Sequence, residues 1–135
     1  MIIVDRPPNF ERIKAAFPKA ENPGVLFAHD QTIYNPSGVF VPPALIAHEN
    51  VHLERQKKVG ADRWWDLYLI NSYYRYEEEL LAHAAEFKVQ KTGDRNVSAS
   101  LLMRTALRLI APLYNYQPPR SLQDAIKDLR QEIAK

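Results

Sequence analysis

Apolar positions along this chain recur at helical spacing in six segments and at strand spacing in a short stretch near the N-terminus. Phe10, Ile13 and Phe17 form a stripe after Asn9, a good helix cap, and Pro18 ends the run, which predicts a short first helix. After the turn ENPG (21–24), VLFA (25–28) and TIYN (32–35) are rich in β-branched and aromatic residues. With HDQ between them they predict a hairpin, and VFV (39–41) after NPSG predicts a third short strand. Pro42 and Pro43 stop that strand, and Pro43 suits the first turn of a helix from about Ala44 to Lys58 that closes at Gly60. A second helical segment, DRWWDLYLI, follows at 62–70. Asn71 or Ser72 then caps a longer helix ending at Thr92-Gly93. Ser98 is expected to cap a helix to about Ile110, stopped by Pro112. LYNYQPPR (113–120) reads as a loop, and Ser121 caps the last helix, SLQDAIKDLRQEIA. The fold class expected is α+β, mainly helical: a small N-terminal antiparallel sheet packed on the helix that begins near Ala44, with further helices C-terminal. No repeat or linker divides residues 1–135, so one domain is expected.

Composition narrows the function. The 46% hydrophobic and 25% charged residues are ordinary for a globular domain. A formal charge of +2, with 18 basic residues scattered among 16 acidic ones, argues against nucleic acid as a partner. Trp64-Trp65 and the Tyr73-Tyr74-Tyr76 group read as core aromatics at helical spacing for the same reason. Without cysteine there is no disulfide, thiolate zinc site or cysteine nucleophile. No apolar run suits a membrane span, and the charged N-terminal stretch is unlike a signal peptide, so a cytoplasmic location is expected.

The chemistry concentrates in LIAHENVHL (45–53). On a helix, His48 and His52 stand one turn apart on one face and can offer ring nitrogens to one metal ion, while Glu49 beside them can take a proton from water. With four His and nine Glu, a shuffled chain would show this pattern on the order of once in a hundred sequences. Accident is thus a weak rival, and a third ligand becomes the question. No third histidine follows at the short H-x-x-G-x-x-H spacing, since LERQKKVG succeeds His52. On the next long helix Glu79, Ala82, His83 and Glu86 share one face. A solvated acidic stripe would explain Glu77-Glu78-Glu79, but the apolar rest of the helix predicts burial, and a buried carboxylate needs a pair or a cation. His29, at the hairpin turn beside the turn residues Asp30 and Gln31, reads as a surface histidine.

His48-Glu49-x-x-His52, followed by Glu79-x-x-Ala82 on a second helix, resembles the gluzincins, the thermolysin-like zinc peptidases whose third ligand is a downstream glutamate. IYNPSG (33–38), the connector with Trp64 and Trp65, and Arg75-x-x-x-Glu79 make the chain similar to the very small gluzincin domains of phage and bacterial genomes, over roughly residues 25–92. The resemblance implies zinc (Zn2+) held by His48, His52 and Glu79, Glu49 as base, and a peptide or protein substrate. Glu78 and Glu86 are the alternatives for the third ligand. Where such enzymes often carry an aspartate four residues after the ligand glutamate, this chain has His83, which could support a ligand histidine or bind the metal itself.

For the oxyanion, Arg75, Tyr76 and Tyr114 are candidates. Against them stand an Arg75–Glu79 ion pair and ordinary core packing of the tyrosines. The edges at VLFA or TIYN could take a peptide as an added strand, and LYNYQPPR or the last helix could cover the site. A non-catalytic zinc-stabilised structural or assembly protein, and a helical domain without metal, are the rival readings. If zinc binds only the folded chain, EDTA lowers the melting temperature in a thermal scan; a metal-free domain melts at the same temperature with or without it.

Overall fold

A computed structural model describes residues 1–135. The chain runs β1 (Ile2–Ile3), α1 (Phe10–Ala16), a 3-10 turn (Pro18–Glu21), β2 (Phe27–His29), β3 (Thr32–Tyr34), α2 (Pro43–Val59), α3 (Ala61–Ile70), α4 (Ser72–Gln90), α5 (Arg95–Leu109), a 3-10 turn (Pro112–Tyr114) and α6 (Leu122–Ile133). It is α+β and mainly helical, with its sheet near the N-terminus. No helix is long and apolar enough to cross a membrane.

The expected hairpin forms, but its strands are Phe27–His29 and Thr32–Tyr34, so His29 belongs to a strand rather than to the turn. Phe27 pairs with Tyr34, and His29 with Thr32, around a two-residue turn at Asp30-Gln31. Both turn residues have positive φ (44° and 70°), the backbone that suits the right-handed twist of a hairpin but that glutamine rarely adopts. Gln56 of α2 braces this turn. Its amide oxygen accepts from Asp30 N and its amide nitrogen donates to Ala28 O, both at 2.9 Å.

The third strand is not VFV (39–41). Ile2–Ile3 pairs in parallel with β3 instead, so β3 is central in the order β1-β3-β2. Gly38 takes a positive φ, Gly38 N donates to Asn35 O, and the Asn35 side chain donates to Val39 O. These bonds fold NPSG back on itself and send Val39 and Phe40 out to solvent.

The helices follow their punctuation. Pro43 opens α2, and Gly60 closes it with φ +89°, which lets α3 start at the next residue. Asn71 and Ser121 cap α4 and α6 through their side chains. Two cap expectations change. Asn9 stands at the start of α1 but makes no side-chain cap bond. Asp94, not Ser98, caps α5, because its carboxylate accepts from Asn96 N and Val97 N; Ser98 lies one turn inside and donates to Thr92 O.

Two apolar clusters flank α4. One joins Phe10, Ile13, Phe17 and Phe27 to Trp64, Trp65 and Tyr68. The other joins Tyr76, Leu80 and Ala84 of α4 to α5 and α6 through Ala106, Leu109, Ala125 and Leu129. The core reading of Trp64, Trp65 and Tyr76 therefore holds, whereas Tyr73 is exposed, with the Arg120 guanidinium 5.5 Å from its ring centroid. With α2 packed along one side and α5 and α6 along another, α4 is enclosed, and Glu78, Glu79, His83 and Glu86 on it are buried. Gln56→Met, which keeps the volume but removes both braces on the hairpin, is expected to lower stability by about 1–3 kcal/mol, read as a shifted urea midpoint.

Candidate metal centre

α2 and α4 run antiparallel, and their facing stripes are polar. Arg55 meets Glu78, His52 meets Glu79, and His48 meets both Glu79 and Glu86. The one-turn spacing of His48 and His52 brings their Nε2 atoms 3.2 Å apart. Glu79 reaches both: Oε1 lies 3.2 Å from His48 Nε2, and Oε2 lies 3.0 Å from His52 Nε2. Two ligands each ~2.05 Å from a tetrahedral zinc would be about 3.3 Å apart, so these separations fit one such cation. His48, His52 and Glu79 are all buried and form a group able to hold a metal ion. Glu79 Oε1 has no hydrogen-bond partner, an orphaned acceptor that a cation would satisfy.

The surroundings hold these donors in place. Tyr68 on α3 donates to Glu79 Oε2 at 2.8 Å. His83 Nδ1 lies 2.8 Å from the Glu79 carbonyl oxygen, one helical turn back. Glu86 lies on the far side of His48, with Oε1 2.6 Å from Nδ1, an ion-pair distance without hydrogen-bond alignment, and its other oxygen meets Arg108 of α5. A carboxylate behind a ligand histidine is the usual orienting device at metal sites. Here Glu86, rather than the residue at 83, stands in that position behind His48. Glu78 serves another purpose: it accepts from Trp64 Nε1 at 2.8 Å and from Arg55, tying α3 and α2 to α4.

Of the expected site residues, His48, Glu49, His52 and Glu79 come together around a cavity of about 290 Å³. His83, Glu86, Tyr68, Tyr114 and Arg108 also line it, and Phe17, Phe27, Trp65 and Leu113 contribute apolar wall. His29 stays outside, 3.9 Å from Asp62. Arg75 does not pair with Glu79. Its buried guanidinium donates to the carbonyls of Tyr68, Leu69, Tyr114 and Asn115 and so clamps the loop after α5 to the α3–α4 junction. Tyr76 points away and donates to Asp128 of α6. Leu113 and Tyr114 line the cavity, whereas no α6 residue does. β3 has both edges paired, so only β2 could accept an added strand beside the cavity, and there Gln56 and Trp65 already hold Ala28 O. Tyr68 was not singled out in the sequence, although its place one turn after Trp64 and Trp65 marked it as buried.

Burial alone would push the His48 pKa down, but the carboxylates of Glu79 and Glu86 override it and hold it well above the ordinary value. Burial likewise opposes the charge on Glu79, and His52 and His48 nonetheless keep it well below the usual carboxylate range. For Glu86 burial is again overcome, by His48, His83 and Arg108, to a value of about 2. Glu49 behaves oppositely: burial raises it, and the two histidines offset only part of that rise. His83, buried and beside His48, is lowered to about 4 and stays neutral.

The sequence matches no protein-family model, and comparisons with curated proteins and with solved structures find no match.

The carboxylates beside His48 favour its protonated form, and a metal entering at Nε2 would displace a proton. Binding at neutral pH is therefore expected to release about one proton per ion, and apparent affinity falls as pH drops below the raised His48 pKa. Calorimetry in buffers of different ionisation enthalpy measures that release.

Proposed function

We propose that this protein is a minimal gluzincin-type zinc peptidase, in which His48, His52 and Glu79 hold Zn2+ and Glu49 is the general base. The observation that carries the reading is the convergence of three buried donors, at separations that fit a tetrahedral ion, on the wall of one cavity. A bound zinc ion supplies Lewis-acid polarisation of a carbonyl and activation of water.

The chain's own residues supply the rest. Glu49, on the cavity and with its pKa raised by burial, is suited to take a proton from water and return it. Water oxygen adds to the scissile carbonyl carbon, the C–N bond breaks, and the nitrogen leaves with the proton Glu49 returns. Tyr68 is committed to Glu79 and orients that ligand. We assign Tyr114 as the donor to the developing oxyanion, because it lines the cavity while Arg75 and Tyr76 are engaged elsewhere. The apolar wall suits a peptide with a bulky apolar side chain near the scissile bond.

A non-catalytic, zinc-stabilised assembly protein would keep the donors without turnover. Glu49→Gln separates the two. It is expected to retain about one zinc per chain by elemental analysis and to lower peptide hydrolysis at least about a hundredfold. Glu79→Ala should lose the zinc. Wild-type protein that binds zinc but cleaves no peptide in a library screen would favour the assembly reading.

A further inference from the structure

The centre contains a second buried group able to hold a metal ion. His48, His83 and Glu86 offer donor atoms as close together as those of His48, His52 and Glu79 require. The two triads share His48 and lie on the same pair of helices. All five residues are buried, so exposure does not choose between them. What differs is the partner of each carboxylate. Glu79 meets imidazoles and the uncharged hydroxyl of Tyr68. Glu86 meets the permanent cation of Arg108, which reaches it from α5 with its side chain 45% exposed.

We propose that Arg108 is a positioning residue that selects between the two triads: its guanidinium occupies Glu86, keeps a cation out of the His48–His83–Glu86 group, and leaves Glu86 to orient the His48 ring toward His52 and Glu79. Two physical effects act together. The guanidinium repels a second positive charge at Glu86. It also takes one carboxylate oxygen, which fixes the other on His48 Nδ1 at 2.6 Å and leaves His48 Nε2 to face His52 and Glu79. The inference rests on the metal-binding part of the reading above and is independent of hydrolysis.

The test is cobalt and zinc binding to the whole chain, with the visible spectrum of the cobalt form reporting coordination. Wild type, Arg108→Met, Arg108→Lys, His52→Ala and the Arg108→Met/His52→Ala double variant are compared, each checked by thermal melting without metal. His52→Ala alone is expected to weaken metal binding at least tenfold. In the Arg108→Met background the cobalt spectrum shifts, and His52→Ala costs less than that, because His83 and Glu86 now hold the ion. Arg108→Lys keeps the charge and the wild-type spectrum. An Arg108→Met spectrum identical to wild type, with His52→Ala equally damaging in both backgrounds, overturns the proposal and leaves the zinc reading standing. Wild-type protein that takes up neither metal overturns both.

Discussion

Three glutamates of one helix, Glu78, Glu79 and Glu86, lie almost wholly out of water, and the rest of the molecule is arranged to make that tolerable. An unpaired buried carboxylate is too costly to keep. Each therefore has partners from a different element: Arg55 and Trp64 for Glu78, two histidines and Tyr68 for Glu79, Arg108 and His48 for Glu86. These contacts join α2, α3 and α5 to α4. The polar interior and the helical packing are thus one construction, because an apolar α4 would need none of these partners.

The two apolar clusters divide the remaining work. The cluster of α5 and α6 covers the far side of α4 and contributes no α6 residue to the cavity. The N-terminal cluster provides the cavity's apolar wall, with Trp65 and Gln56 both bonded to Ala28 O so that the hairpin stays registered against α2. Arg75 joins the halves without using its charge on a carboxylate. Its four carbonyl contacts hold the loop that places Tyr114 on the cavity wall. A guanidinium suits that task, since it carries five donors in a rigid fork and no acceptor.

The centre's electrostatics follow from the same crowding. Carboxylates on both sides of His48 favour a positive charge there. Glu49 lies close enough to feel the histidines but has no cationic partner of its own, so burial dominates and its pKa rises. Neighbours on α2 are thereby both held toward their protonated forms, His48 by its carboxylates and Glu49 by burial.

Much of this was legible in the chain because it rests on local rules. Spacing alone put His48 and His52 on one face. Pro43, Gly60, Asn71 and Ser121 set helix ends where backbone geometry demands them, and the apolar surroundings of Glu79 announced its burial. What the sequence could not decide were contacts between residues distant along it. The pairing of Ile2–Ile3 with β3 joins segments some thirty residues apart, and two apolar residues carry no signal of their partner. The same holds for Tyr68 on Glu79, for Arg75 on carbonyls rather than on Glu79, and for Glu86 behind His48 with Arg108 behind it. Helical periodicity shows which side chains share a face. Which face of another helix they meet is settled only when the helices pack.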